Sequence, residues 1–194
     1  MNYKLIIFDV DGTLADRDTS ILLPNVAQWF AENWRNYRFA LASNQGGVGL
    51  RYWREQVRAQ GGDIGDPEAL PTKDSVMQHI GYVLSAVFDA VRTVWKPGPV
   101  EQLMPLEITD YICFAYQSKK SGQWGPIPDH KQNDPRWRQD WRKPAPGMLN
   151  AAMSDMRVYP QETLMVGDSE EDRLAAEAAH CDFQWADDFF GRRK

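Results

Sequence analysis

Short apolar runs alternate along the chain with longer stretches in which apolar residues recur every three or four positions. The short runs are rich in Ile, Val, Leu and Phe and are too brief for helices, so they predict buried β-strands. Five strands are predicted in this way, at residues 4–8, 39–42, 109–116, 163–168 and 183–186. The pattern therefore favours a sheet with at least one fully covered face.

The longer stretches predict helices that separate the strands. Val26, Phe30 and Trp34 share one helical face in residues 24–34, and a long helix with the same apolar periodicity is predicted over 74–94. Further helices are predicted at 146–156 and 173–180. Strands that alternate with helices predict an α/β fold, a Rossmann-like three-layer sandwich with a mainly parallel five-stranded sheet and helices on both faces.

Two segments lack apolar periodicity. Residues 61–72 are rich in Gly, Pro and Asp and predict a loop, and the whole stretch 49–72 is longer than a plain connection between a strand and a helix. We expect 49–72 to form a possible lid insert over one end of the sheet. Residues 118–142 form the second such segment, within a single domain that spans 1–194.

Composition narrows the class of protein. The formal net charge of −5 gives no general signal for nucleic-acid binding, and no apolar run approaches the roughly 20 residues that a membrane helix needs. The first residues lead directly into a strand, so no signal peptide and no membrane association are expected. Cys113 and Cys181 are too few for a disulfide framework, which favours two reduced thiols in a cytoplasmic protein.

Two carboxylates follow the first strand directly. Asp9 and Asp11 are two residues apart, so in extended chain they lie on the same face. Two carboxylates that are partly buried side by side repel each other and lose hydration, unless a cation is bound between them. This pair therefore predicts a cation site at the end of the strand.

Other polar residues follow the neighbouring strands. Ser43 and Asn44 end the second strand, Asp168 ends the fourth with Asp172 one helical turn later, and Lys143 precedes a helix. Ligands of open parallel sheets bind beyond the carboxyl ends of the strands. Several carboxylates, a hydroxyl group and a lysine at one edge suit a hard cation such as Mg²⁺ together with a phosphate.

These residues resemble the four motifs of the haloacid dehalogenase (HAD) superfamily of phosphatases. The motifs occur in order as Asp9-Val10-Asp11-Gly12-Thr13, Ser43, Lys143 and Gly167-Asp168 with Asp172. The segments 43–47 and 142–148 further resemble the subclass that contains histidinol phosphatase, heptose bisphosphate phosphatase and polynucleotide 3'-phosphatase. The resemblance covers residues 3 to about 186.

The resemblance implies a role for each motif residue. Asp9 would be the nucleophile that forms an aspartyl-phosphate, and Asp11 the general acid and base. Thr13, Ser43, Asn44 and Lys143 would bind or orient the phosphoryl group, with Arg142 as a further phosphate contact. Mg²⁺ would be held by Asp9, the Asp11 backbone carbonyl and Asp168, with Asp172 in support. His79, on the long helix, is expected to be structural or exposed.

Two features bear on the substrate that the resemblance implies. The connection between Thr13 and Pro24 is too short for a cap domain, so a minimal or absent cap is expected. The histidinol and heptose phosphatases carry a Cys/His zinc loop after the third strand, whereas this chain offers only Cys113 and His130 there. A lone Cys and a lone His do not make a tetrahedral site, so no structural zinc is expected.

The segment 118–143 combines basic and aromatic residues. Its seven basic and three acidic side chains give +4, and Trp124, Trp137 and Trp141 are interleaved with them. Such residues can grip a phosphate backbone and stack on bases, or they can form a solvated loop whose tryptophans pack on the domain. Both interpretations stay open at this point.

The sequence thus favours a Mg²⁺-dependent phosphomonoesterase that acts on a phosphorylated sugar or nucleotide. A polynucleotide 3'-phosphatase, for which a nucleic-acid end would be the partner, is the alternative enzyme. A catalytically idle protein that binds a phosphorylated ligand or a partner is the alternative from another class. The substrate itself and the oligomeric state are not indicated by the sequence.

Overall fold

The computed structural model describes residues 3–96 and 106–192. Its described residues form one parallel sheet in the strand order β3-β2-β1-β4-β5. The strands are β1 (Leu5–Phe8), β2 (Arg38–Asn44), β3 (Ile108–Cys113), β4 (Thr163–Gly167) and β5 (Asp182–Trp185). The helices are α1 (Val26–Asn33), α2 (Gly47–Ala59), α3 (Lys73–Arg92), α4 (Gly147–Met156), α5 (Glu170–Ala178) and α6 (Ala186–Phe189).

Both faces of the sheet are covered by helices. Alternate β1 residues point to opposite faces, so Ile6 and Phe8 join a cluster with the buried sides of α1 and α3, whereas Leu5 and Ile7 pack towards α4 and α5. The sheet strands are almost continuously apolar for this reason. The predicted three-layer α/β sandwich is confirmed.

The register of the central strands places the site. Phe8 of β1 lies beside Leu41 of β2 and Val166 of β4, and the backbone N–H of Asp9 still donates to the carbonyl of Val166 at 2.9 Å. Strands β1, β2 and β4 therefore end at the same edge of the sheet. The residues that follow these strands are therefore brought into one crevice.

Helix α2 was not predicted from the sequence. Its pattern is amphipathic, with Val48 buried and Tyr52 packed against the core, but the glycines at its start and its many charged residues obscured this pattern in the sequence. Polar contacts add to the packing: Arg51 pairs with Glu55 at 2.9 Å and donates to the carbonyl of Leu70 at 3.0 Å. The segment 49–72 is thus most of a helix followed by a loop, and Pro71 of that loop lines the crevice described below. A lid function for it stays a prediction.

Two element boundaries differ from the predictions for identifiable reasons. Strand β3 ends at Cys113 and not at 116, because the N–H groups of Phe114 and Ala115 donate to the carbonyl of Arg136 and leave the sheet. Helix α5 begins at Glu170, before the predicted 173, because Ser169 and Asp172 cap its first turn reciprocally. In the described ranges, no helix combines the length and the apolar character that a membrane crossing requires.

Candidate active site

Lys143 and Asp9 form the buried centre of the crevice. The Lys143 ammonium is 2% exposed and donates to Asp9 Oδ1 at 2.8 Å and to the carbonyl of Ala42 at 2.6 Å. It also lies 2.5 Å from Asp172 Oδ1, so one cation pairs with two buried carboxylates. Asn44 fixes the Lys143 backbone by accepting from its N–H at 3.1 Å and donating to its carbonyl at 2.8 Å.

Three carboxylates converge beside this lysine. Oxygen atoms of Asp9, Asp168 and Asp172 lie within 4.8 Å of one another, with Asp9 and Asp172 buried and Asp168 exposed to the crevice. One ammonium leaves this group of three acids with an excess of negative charge, and an all-oxygen donor set of this kind fits Mg²⁺. The residues present are therefore suited to hold a divalent cation.

Two glycines allow the carboxylates to approach the backbone so closely. A Cβ at Gly12 would lie 2.1 Å from Asp168 Oδ2, and the φ of +80° at Gly12 is itself unfavourable for other residues. A Cβ at Gly167 would lie 2.4 Å from the Cβ of Asp172. The Gly12 of the first motif therefore makes room for the acid of the fourth.

The charges of the cluster perturb one another. Burial raises the pKa of Asp9 to about 7, the nearby Lys143 ammonium opposes this rise, and Asp172 adds to it. Burial alone would lower the pKa of Lys143, but the carboxylates of Asp9 and Asp172 more than offset it and raise that pKa. Burial and the Asp172 charge also raise the pKa of Asp168. Without a metal ion, the site therefore favours a proton on Asp9.

Asp11 lies beside this cluster with both of its carboxylate oxygens in polar contact. Gln45 Nε2 donates to Asp11 Oδ2 at 2.8 Å, and His79 Nε2 lies 2.9 Å from Asp11 Oδ1. Arg17 Nε is 3.6 Å from Oδ2. His79 was expected to be structural or exposed; its side chain is only 14% exposed and contacts the motif residue Asp11.

Neither His79 nor Gln45 was identified from the sequence as part of the site. Gln45 directly follows Ser43-Asn44 at the end of β2, and this proximity was the available signal for it. His79 lies 68 positions from Asp11, on a helix whose apolar pattern reports only its buried face. A single sequence holds no signal that links the two.

The residues predicted to bind phosphate divide between two layers. Ser43, Asn44, Arg142 and Lys143 line the crevice, whereas Thr13 is fully buried behind it, with its hydroxyl 3.4 Å from Asp9 Oδ2. Ser43 Oγ accepts from Gln45 Nε2 at 3.0 Å, and Arg142 donates to the carbonyl of Ala115 at 3.2 Å. The placements of Ser43, Asn44, Arg142 and Lys143 agree with phosphate-binding roles, which remain predictions, whereas Thr13 contacts Asp9 and does not reach the crevice.

The crevice has a volume of about 710 Å³ and is open to solvent. Besides the acids and Lys143, its wall includes the side chains of Arg17, Lys119 and Arg142, which offer positive charge around the centre. An opening of this size admits a small-molecule ligand.

The tryptophans of the segment 118–142 pack on the domain. Trp137 is 8% exposed and contacts the rings of Tyr52 and Phe114, while Trp141 Nε1 donates to the carbonyl of Ile112 at 3.0 Å. Trp124 packs against the core cluster beneath α4 and α5.

Two of the basic residues of the same segment form ion pairs within it. Arg136 binds Asp134 at 2.7 Å, and Arg138 binds Asp140 at 2.5 Å. Of the two interpretations of this segment, packing on the domain is the one that the geometry favours, apart from Lys119, Arg142 and Lys143 at the crevice.

Known proteins share this fold and part of this sequence. Residues 140–185 match the HAD-hydrolase-like family model. The D-glycero-beta-D-manno-heptose-1,7-bisphosphate 7-phosphatase of Haemophilus ducreyi is 44% identical over 48 residues, which are 25% of this chain and 26% of that protein. The matched part thus spans about a quarter of the length of this curated relative.

Structural similarity extends over nearly the whole chain. The crystal structure of D,D-heptose 1,7-bisphosphate phosphatase from B. bronchiseptica, complexed with magnesium and phosphate, superposes with a TM-score of 0.57. The alignment covers 93% of this chain and 78% of that chain at 22% sequence identity, a level that establishes the fold.

The resemblance to HAD-like phosphatases drawn from the sequence is confirmed by the family match over residues 140–185 and by the shared fold. Its resemblance to the subclass that includes the heptose bisphosphate phosphatases agrees with the local identity to the Haemophilus enzyme.

Proposed function

We propose that this protein is a Mg²⁺-dependent phosphomonoesterase that acts through a covalent aspartyl-phosphate on Asp9. The observation that carries the proposal is the buried Lys143 ammonium, which contacts Asp9 at 2.8 Å and Asp172 at 2.5 Å next to the exposed carboxylate of Asp168. A carboxylate that attacks a phosphate needs positive charge at this place, because the two anions repel each other.

The first half of the reaction transfers the phosphoryl group to the protein. An oxygen of Asp9 forms a bond to phosphorus while the ester P–O bond breaks, and the leaving oxygen takes the electron pair and a proton from Asp11. Lys143 stabilises the negative charge that spreads over the phosphoryl oxygens. Ser43 and Arg142 line the crevice and would contact the same oxygens.

The second half returns the protein to its starting state. Asp11 removes a proton from a water molecule whose oxygen bonds to phosphorus, and the bond between phosphorus and Asp9 breaks with its electron pair returning to the carboxylate. Mg²⁺ bound by Asp9, Asp168 and the Asp11 carbonyl, with Asp172 in support, would supply charge screening between nucleophile and phosphate.

We propose a phosphorylated sugar or nucleotide as the substrate. The open crevice suits a small metabolite. The similar heptose phosphatases are named for sugar bisphosphate substrates. A polynucleotide end is less favoured, because Trp137 is buried against Tyr52 and Phe114 and therefore offers no stacking surface for bases.

Hydrolysis of p-nitrophenyl phosphate tests the class of reaction. We expect activity with Mg²⁺, loss of activity with EDTA, and loss in Asp9→Asn, whose fold is checked by circular dichroism. Activity that survives both EDTA and Asp9→Asn would contradict the mechanism. A wild-type protein that binds phosphorylated ligands without turnover would favour the idle binding protein.

A panel of sugar phosphates, nucleotides and 3'-phosphorylated oligonucleotides tests the substrate class. We expect a preference for the small substrates that changes little with salt. An oligonucleotide preference that weakens steeply between low and high salt would instead indicate contacts to the phosphate backbone.

A further inference from the structure

Helix α3 supplies a side chain to the site that the family motifs do not account for. His79 Nε2 contacts Asp11 Oδ1 at 2.9 Å, while Gln45 Nε2 donates to Asp11 Oδ2 at 2.8 Å. The carboxyl group is held at both oxygens, by one residue from α3 and one from the end of β2. Rotation of Asp11 about its side-chain bonds therefore requires the loss of at least one of these contacts.

His79 is itself held in a fixed orientation. Its Nδ1 lies 2.7 Å from the hydroxyl of Ser20, a residue with a φ of +59° in the loop that follows the first motif. The helix that carries it is anchored by Val76, Ile80 and Val83, all of which are buried in the core. The imidazole, carried by α3, thus contacts Ser20 through Nδ1 and Asp11 through Nε2, and so connects the loop around Ser20 to Asp11.

A second cavity lies on the α3 side of Asp11. It has a volume of about 420 Å³ and is continuous with the main crevice, since Asp11, Arg17, Gln45 and Pro71 line both. Its far wall is formed by α3, where His79, Ser75, Gln78 and Tyr82 face the space. Asp11 therefore lies where the main crevice and this second cavity adjoin.

We propose that His79 is a positioning residue for Asp11 and that the leaving group of the substrate occupies the cavity beside α3. This inference rests on the proposed phosphatase function. As the ester P–O bond breaks, the leaving oxygen takes the proton of Asp11, and the resulting carboxylate accepts hydrogen bonds from His79 and Gln45. The hydroxyl and amide groups of Ser75, Gln78 and Tyr82 suit a hydroxylated leaving group, such as a sugar.

The dependence of the rate on the leaving group tests this role. An alkyl phosphate needs a well-placed acid to expel its alkoxide, whereas 2,4-dinitrophenyl phosphate does not. For His79→Ala, we expect the rate constant kcat/KM with an alkyl phosphate such as a hexose 6-phosphate to fall on the order of 10²-fold. With 2,4-dinitrophenyl phosphate, kcat/KM is expected to change by less than about 3-fold, a selectivity that a general loss of structure would not produce. The comparison uses kcat/KM because it reports only the steps up to release of the leaving group, whereas the later hydrolysis of the aspartyl-phosphate also needs Asp11 and is common to both esters.

Two conservative variants of His79 distinguish its contact with Asp11 from its contact with Ser20. The amide nitrogen of Gln reaches the position of Nε2, so His79→Gln keeps a donor to Asp11 and should recover much of the rate with the alkyl phosphate. The shorter His79→Asn can reach Ser20 but not Asp11 and should not recover it. His130→Ala, at an exposed position outside the site, is the matched control and should leave both rates unchanged.

The outcomes that contradict the inference differ from those that contradict the proposed function. A wild-type protein without Mg²⁺-dependent hydrolysis of either ester overturns both. An active wild type in which His79→Ala lowers both rates equally, or neither, overturns only the role of His79. If His79→Ala does not fold, equal rates for His79→Gln and His79→Asn with the alkyl phosphate overturn it as well.

Discussion

The ammonium of Lys143 lies 2.8 Å from Asp9 Oδ1, although 134 positions separate the two residues in the chain. The same ammonium lies 2.5 Å from Asp172, and all three side chains are removed from solvent. A buried charge is tolerated when it is paired, so each of the three depends on the other two. The arrangement makes Lys143 important both for activity and for stability.

Replacement of Lys143 should therefore have two separate effects. In Lys143→Met, we expect kcat to fall by about 10²–10³-fold, because the phosphoryl oxygens lose their positive contact. The free energy of unfolding without metal should fall by about 3–5 kcal/mol, because two carboxylates stay buried without a partner. Urea denaturation measures the second effect. Lys120→Met, at an exposed position, should stay within about 0.5 kcal/mol of the wild type.

Stabilisation by Mg²⁺ should increase with pH between about 4 and 7. Burial raises the pKa of Asp9 from 3.8 to about 7, so in this window the folded metal-free protein holds a proton that the unfolded chain has lost. The stability of the metal-free protein therefore falls as pH rises from about 4 to about 7, because the folded protein must release the proton of Asp9 that the unfolded chain has already lost. Mg²⁺ needs the carboxylate and must displace that proton, which costs more at low pH.

The melting temperature with and without Mg²⁺, measured from pH 5 to pH 8, checks this dependence. We expect the shift caused by Mg²⁺ to be smallest at pH 5 and largest at pH 8. Asp9→Asn should weaken both the shift and its pH dependence. If the shift in melting temperature caused by Mg²⁺ is the same throughout the range from pH 5 to pH 8, Asp9 does not exchange a proton for the metal.

A methyl group at Gly12 should abolish metal binding. In Gly12→Ala, the new Cβ would fall 2.1 Å from Asp168 Oδ2, so this carboxylate must leave its position. We expect no Mg²⁺ binding by calorimetry and no phosphatase activity. Gly122→Ala is the matched control, because Gly122 also has a positive φ, of +71°, but no atom lies within 4 Å of its added Cβ.

The control variant should lose about 1 kcal/mol of stability through backbone strain and keep full Mg²⁺ binding. If Gly12→Ala binds Mg²⁺ as tightly as Gly122→Ala, then Asp168 is not needed at its observed place.

Both cysteines should be unreactive in the folded protein. Burial raises the pKa of Cys113 to about 12 and that of Cys181 to about 12, so only about one thiol in 10⁴ is a thiolate at pH 8. We expect iodoacetamide to modify neither thiol in native buffer and both in urea, as followed by mass spectrometry. Rapid native modification of either residue would show that its surroundings open readily.

The predictions from sequence succeeded where local pattern and fold coincide. The strand-end position of Asp9, Asp11 and Asp168 follows from short apolar runs, and parallel strands bring such ends to one edge. The periodicity that predicted 74–94 likewise agrees with α3, because its buried side is apolar along its whole length. These features depend on neighbouring residues, which a sequence displays directly.

The predictions failed where contacts between distant residues decide the outcome. Helix α2 was missed, because it buries only Val48 and Gly49 completely and is held in part by Arg51, which pairs with Glu68 of the following loop. For the tryptophans of 118–142, the sequence left open stacking on a ligand or packing on the domain, because the burial of Trp137 depends on Tyr52 and Phe114, which lie outside that segment.

From the order of its residues alone, this chain specifies a parallel α/β sheet and a set of acids, a serine and a lysine at one edge of it. The contact between His79 and Asp11, the sharing of Lys143 by Asp9 and Asp172, and the cavity beside α3 arise only when the chain is folded. The reason is physical. Periodicity and strand position are short-range properties, whereas hydrogen bonds and charge pairs across 68 or 134 positions depend on how helices and loops dock on the sheet.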